Sequence, residues 1–449
     1  MTKKKWALLI LFAIAIFGYI KFFYKTYNET NIAQSADCII ALDVKKITNT
    51  IIWNTITTPS QWKTGNIFSP GSSDEVNWKD MVKIPDYIFT FHVRNQPANT
   101  WHTVLQVKDE NDFTKGLQHY NFKKLNNNEY FCEKFGILIF KDDDKILVTN
   151  ASVENHKYLL DVAHELFTKK TYIAKETIKK IIAAKSHMAV HIKKNSFLQE
   201  DAIITGNFDK NKIEINGTIK PHKQYSFPEN YFSYPDSSLC SIGFTQPSRG
   251  VYLLLEENSK NKISKALDMN IDSLFLENNK SYSVDLAAIE SRADSAITYA
   301  YDDDFNKVEK VVVNNIDEPV FNFIISGSNA DNIYTYFNRT GKLEKTNKGE
   351  LFTGMPLVKS YCSITNKNEL QITSDNYQFL ASGKNINCML CMNLFFTKIP
   401  SPLLKYLPDS LIKTIKNLSS LQIFGKKEKD QILVNCKLNK KKNDLPLIY

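Results

Sequence analysis

Apolar and polar positions alternate with a period of two along much of the chain, in short runs. Asp37–Asp43 (DCIIALD), Asp86–Val93 (DYIFTFHV), Thr100–Val107 (TWHTVLQV) and His187–Ile192 (HMAVHI) read as strands, because successive side chains of an extended backbone point to opposite faces. Ile137–Asn150 reads as a hairpin that turns at Asp142–Asp144. Ile203–Ile219 reads as another, turning at Asp209–Lys212. A helical period interrupts the alternation in a few places. Val44–Trp53 is one. Asp109 stands where an N-cap is expected, ahead of Phe113, Leu117 and Tyr120 on one stripe. Ser152 opens a further helix whose apolar face holds Tyr158, Leu159, Val162, Ala163, Leu166 and Phe167.

The pattern recurs. VLQVKDENDFTKGL from Val104 matches IISGSNADNIYTYF from Ile324, so that Phe113 corresponds to Ile333 and Leu117 to Phe337. KILVTN from Lys145 matches ELQITS from Glu369, and KIEINGTI from Lys212 matches QILVNCKL from Gln431. ADCIIALD from Ala36 matches SLCSIGFT from Ser238, pairing Cys38 with Cys240. Collinear order at similar offsets predicts a tandem duplication. The expected fold is α+β: a transmembrane helix, then two related domains of mainly antiparallel sheet with packed helices. The expected divisions are a flank at 1–5, an anchor at 6–24, repeats at 36–220 and 238–440, a docked linker at 221–237 and a tail at 441–449. Pro221, Pro228 and Pro235 punctuate the linker, and its aromatics include Tyr231 and Phe232.

The anchor rests on the apolar run from Trp6 to Tyr24, broken only by Lys21. As a helix it would span about 28 Å, close to one hydrocarbon thickness. Lys21 would snorkel, with Trp6 and Tyr24 as interfacial aromatics. Lys3, Lys4 and Lys5 precede the run, which predicts a cytoplasmic N-terminus and a bulk outside the cytoplasm, on the periplasmic side. The competing reading is a signal peptide cleaved near Ala33-Gln34-Ser35. The lysine triplet with its apolar run, and the abundant Asn and Lys, resemble N-terminally anchored envelope proteins of Bacteroidetes type. The resemblance implies a location and no mechanism.

Charge narrows the partners. The chain has 449 residues and a net charge of +9. Residues 1–25 hold five lysines and no acid, and residues 424–449 hold seven lysines against three acids. The middle is therefore neutral, and only Arg94, Arg249, Arg292 and Arg339 supply guanidinium groups. Base and phosphate readout favour arginine, so nucleic acid is not an expected partner. The seven cysteines are odd in number and irregular in spacing, which is no disulfide framework.

Candidate chemistry is sparse. His187 and His191 share a strand face but stand about 13 Å apart, too far to hold one metal. HELFT at His164 lacks the second histidine of a zinc-protease helix. Cys388-Met-Leu-Cys391 has no second pair, and in a continuous strand its thiols would point apart. No catalytic, cofactor or metal residues are expected. Trp62 and Trp78, in a long loop, and Tyr231 and Phe232 are the expected partner contacts. The expected role is non-catalytic binding, scaffolding or assembly at the envelope. The partners would be the membrane, through the helix, and an envelope protein or apolar ligand. The alternatives are an extracytoplasmic hydrolase-like enzyme with its site in the first repeat, or a lipid-handling protein.

Overall fold

The computed structural model describes residues 24–58, 78–150, 155–225, 228–234, 238–246, 257–267, 272, 279–301, 305–355, 358–366, 368–377, 384–404 and 407–441. The chain divides at Ile219/Lys220 into two compact units.

The first unit runs β1 (Ala36–Asp43), α1 (Val44–Thr57), α2 (Trp78–Met81), β2 (Val82–Lys83), β3 (Tyr87–Val93), β4 (His102–Val107), α3 (Glu110–His119), β5 (Lys123–Lys124), β6 (Glu129–Cys132), β7 (Ile137–Asp142), β8 (Lys145–Asn150), α4 (His156–Ala163), α5 (Lys175–Ala183), β9 (Met188–Ile192), β10 (Ala202–Phe208) and β11 (Lys212–Ile219). A single π turn, His164–Thr168, extends α4. The strands pair antiparallel in the order β11-β10-β9-β1-β3-β4-β8-β7-β6-β5, with β2 on β4.

Both faces of this sheet are apolar. On one, Ile39, Ala41, Phe89, Phe91, Val104 and Leu147 pack under Leu159, Val162 and Leu166 and under Ile178 and Ile181 of α5. On the other, Val107, Ile139 and Ile146 pack against Phe113 and Leu117 of α3 and against Met81. Asp109 caps α3 by accepting the amide protons of Asn111 and Asp112 at 2.9 and 3.0 Å.

The second unit runs β12 (Asn230–Tyr234), β13 (Cys240–Thr245), α6 (Glu257–Leu267), β14 (Asn279–Tyr301), β15 (Lys307–Gly327), α7 (Ala330–Arg339), β16 (Leu343–Thr346), β17 (Gly349–Phe352), β18 (Ser360–Asn366), β19 (Glu369–Ser374), β20 (Lys384–Cys388), β21 (Leu390–Phe395), α8 (Ser401–Leu404), α9 (Asp409–Asn417), β22 (Leu418–Glu428) and β23 (Gln431–Lys440). Its antiparallel order is β23-β22-β21-β13-β14-β15-β19-β18-β17-β16. Strand for strand, this is the order of the first unit. β12 pairs separately with β20. Helix α7 stands where α3 does, with Ile333 and Phe337 buried against Ile325, Leu370 and Ile372.

Two expectations need correction. The α+β balance does not hold: 48% of the structure is strand against 24% helix, and nearly all the strand is antiparallel sheet. The physical reason is that the helical stripes are short. The stripe from Ser152 yields eight α-helical residues and one π turn, and in the second unit α8 has four residues and α9 nine.

The membrane assignment is not carried forward either. Among the described residues no helix is long and apolar enough to cross a membrane. Trp6 and Lys21 lie outside those residues. Tyr24 is described, and it begins a segment docked on the first unit. Its carbonyl accepts from Lys45, and the adjoining Lys25 pairs with the buried carboxylate of Asp43. Ile32 and Ala33 are fully buried, and Ser35 donates through its amide and hydroxyl to Glu165. The proposed cleavage site is thus part of the packed structure.

A polar sheet face in the second unit

Registers align the two sheets residue by residue. Ile39 faces Phe91 as Ser241 faces Asp285, and Ala41 faces Phe89 as Gly243 faces Ser283. Val104 faces Leu147 as Ile324 faces Gln371. The face that is apolar and covered in the first unit is therefore Ser241, Gly243, Ser283, Asp285, Ile324 and Gln371 in the second. Burying polar groups costs free energy unless they are hydrogen-bonded, and the buried Ser241, Asp285 and Gln371 are.

Asp285 is the centre of one set. Its Oδ1 accepts from the Ser241 hydroxyl at 2.7 Å and its Oδ2 from the Tyr377 hydroxyl at 2.9 Å. Burial, then the neighbouring carboxylate, push the Tyr377 phenol well above its ordinary value. Asn322, opposite Asp285, is the centre of the other. Its Oδ1 accepts from Gln371 Nε2 at 2.8 Å and from the Thr373 hydroxyl at 3.4 Å.

A cleft of about 450 Å³ opens on the same face, lined by Asn230, Tyr231 and Phe232 of β12, Ser281 and Ser283 of β14, Ile324, Ser326 and Gly327 of β15, and Asn368 and Glu369. Asn230 Nδ2 donates to the Ser281 hydroxyl at 2.7 Å and so fastens β12 over the sheet. Among the described residues the lining holds hydroxyls, amides, one carboxylate and two aromatic rings, and no cationic side chain.

The expected contact residues fall differently. Tyr231 lies in the cleft wall and is 71% exposed. Phe232, next in sequence, is 4% exposed and packs on Cys388 and Cys391. The alternation of a strand separates them, since β12 lies within the segment expected as a docked linker. Trp78 opens α2, and Trp62 lies outside the described residues. The thiols of Cys388 and Cys391 do not point apart. The chain breaks at Met389 between β20 and β21, and the two sulfurs meet at 2.9 Å.

Three histidines of the first unit are hydrogen-bonded within it. His102 is fully buried, and its Nδ1 and Nε2 lie 2.7 Å from the Thr149 hydroxyl and from Gln96 Oε1. Burial, and then the nearby His92, push it down to about 4. His187 lies 2.7 Å from the Thr50 hydroxyl, and His191 lies 3.1 Å from Asp201. Among the described residues no group of three His, Cys, Asp or Glu side chains stands close enough to hold a metal. A cleft of about 660 Å³ under residues 26–31 is lined by Lys83 and Lys145 and by Glu29 and Asp86. Several of its polar groups are engaged within the unit: Asp86 accepts from the Thr26 amide, and Lys145 donates to the Thr30 hydroxyl at 3.2 Å.

Sequence reasoning did not pick out Asp285, Asn322 or Gln371. The signal was present in the aligned repeats, as polar residues at positions where the first copy is apolar. Comparisons with protein-family models, curated proteins and solved structures return no match.

Proposed function

We propose that the protein is a non-catalytic binding module whose second unit holds a neutral, hydroxyl-rich ligand, of the saccharide class, in the cleft beneath β12. One observation carries this reading: the sheet face that forms a sealed apolar core in the first unit is polar, hydrogen-bonded and open to a cleft in the second. A volume of about 450 Å³ fits the usual range for small-ligand sites, but such sites are mostly apolar. A lining of Ser, Asn and Glu suits a ligand rich in hydroxyls. No described residue of the lining is cationic, which disfavours phosphates and carboxylates, whose recognition rests on Arg, Lys or helix termini. Tyr231 offers an exposed ring, apolar on its face and polar at its tip, of the kind that suits amphipathic partners.

An array of neutral and acidic oligosaccharides tests the reading. Neutral members should bind the full chain. Tyr231→Ala should weaken that binding, and Ser283→Phe, which restores the first unit's residue, should abolish it. Failure of every neutral member to bind, or binding unaffected by both substitutions, would refute the proposal.

A further inference from the structure

The β14–β15 hairpin is far longer than its counterpart. β3 and β4 have 7 and 6 residues, whereas β14 and β15 have 23 and 21. β13 covers β14 only over Ser281–Leu286, and β19 covers β15 only over Asn322–Ser326. From Ala288–Val320 to Tyr301–Lys307 the two strands pair with each other, and among the described residues no third strand joins them. The arm is about 45 Å long at 3.4 Å per residue.

The arm carries an apolar stripe. Ile297 faces Val311, Ser295 faces Val313 and Tyr299 faces Glu309, so all six residues share one face. Ile297, Tyr299, Val311 and Val313 are each more than half exposed, at 62%, 56%, 62% and 63%. β15 also presents a run of β-branched residues, Val311-Val312-Val313 and Ile316, along an unpaired edge. An exposed strand edge of this composition is a template for another strand.

We infer that the occupant is the β15 edge of a second copy, paired antiparallel about a two-fold axis at Val312. A two-fold normal to the sheet keeps the faces together and sets each residue opposite one of like parity. Centred on Val312, it places Val311 opposite the partner's Val313 and Val308 opposite the partner's Ile316. It also places Lys307 opposite the partner's Asp317, Glu309 opposite the partner's Asn315, and Lys310 opposite the partner's Asn314. Apolar meets apolar, the two end charges are opposite, and no like charges meet. Neighbouring centres fail. At Val311, Glu309 meets Val313 and Lys310 meets Val312. At Val313, Glu309 meets Asp317 and Lys310 meets Ile316. At Lys310 two lysines meet. The favoured register also joins the stripes of both arms into one apolar face. This inference is independent of the cleft.

Light scattering on the full chain across a concentration series gives the test. The wild type should dimerise. Lys307→Asp or Asp317→Lys should each weaken the dimer by about tenfold, since each sets like charges opposite one another twice per dimer. The double variant K307D/D317K should restore it. Under mild oxidant, V312C should cross-link as a dimer absent from the wild type. N315C should not, because its two copies would lie about 20 Å apart. A wild type that stays monomeric, single reversals that dimerise like the wild type, or equal cross-linking of V312C and N315C would each overturn the inference.

Discussion

His102 in β4 and Asn322 in β15 hold the same register position in their sheets. His102 stands between Phe91 and Thr149, and Asn322 between Asp285 and Thr373. Each polar side chain is buried and bonded to the threonine beside it, at 2.7 Å in the first unit and 3.4 Å in the second. The surroundings differ. His102 sits among Phe91, Val104 and Leu147, whereas Asn322 sits among Asp285, Gln371 and Thr373. One backbone plan thus encloses a dry core in one unit and a hydrogen-bonded polar face in the other.

The first unit should lose stability in mild acid because of His102. In its neutral form Nε2–H donates to Gln96 and Nδ1 accepts from Thr149. Protonation would turn Nδ1 into a donor inside an apolar layer. With a folded-state value of about 4 against about 6.5 unfolded, the unfolded chain binds the proton first as pH falls. The stabilisation is fully present above about pH 6.5 and is lost as pH falls through about 4, about 3 kcal/mol in all. Burial shifts His187 and His191 in the same direction. Urea unfolding across pH 4 to 7 measures this, and H102N should flatten the slope while costing about 1–2 kcal/mol at pH 7. An identical slope in H102N would sink the assignment.

Asp285→Ala should destabilise the second unit by about 2–5 kcal/mol, because the Ser241 and Tyr377 hydroxyls lose their shared acceptor while remaining at a packed face. Asp285→Asn keeps an acceptor oxygen and should cost less. Chemical denaturation of the two variants decides it. Equal loss in both would mean that packing volume, rather than hydrogen bonding, governs the site.

Gly116→Ala should destabilise rather than stabilise, although alanine is the better helix former. A Cβ at Gly116 in α3 would lie 2.2 Å from Met81 Sδ and 2.3 Å from its Cε, and Met81 is fully buried. Overpacking of this kind costs about 1–3 kcal/mol. The double variant G116A/M81A should recover part of the loss, as a melting curve would show. A raised melting temperature in G116A alone would contradict the packing.

Much of the strand pattern was legible because alternation is local. β1, β3, β4, β8 and β9 fall where their apolar residues alternate, and Asp109 caps α3 where its spacing to Phe113 and Leu117 requires. Strand preponderance was less legible. A stripe such as Tyr158–Phe167 looks like a regular α-helix in isolation, but the chain widens into a π turn at His164. The arm was also missed, since Ala288–Tyr301 is mostly small and polar and gains its partner only from Lys307–Val320. The polar face was hidden for a different reason. A serine or asparagine in a strand looks solvent-facing until register shows which face it joins, and register is a long-range property.

Native thiols should resist alkylation. Burial pushes Cys38 up to about 11 and Cys362 up to about 12, and it raises Cys240 and Cys436 as well. Cys388 is raised by its hydrogen bond to Cys391 and then by burial. The thiolate is the nucleophile, and at pH 8 a thiol titrating near 11 is ionised to roughly one part in a thousand. Cys388 and Cys391 are further shielded, at 1% and 0% exposure beneath Phe232. A mass-spectrometric time course with iodoacetamide at pH 8 should therefore show these two sites at least about a hundredfold slower in the native chain than in guanidinium. Phe232→Ala removes the covering ring and should speed their labelling without unfolding the first unit. If the pair reacts natively at the unfolded rate, the packing of β12 on β20 and β21 is not as described.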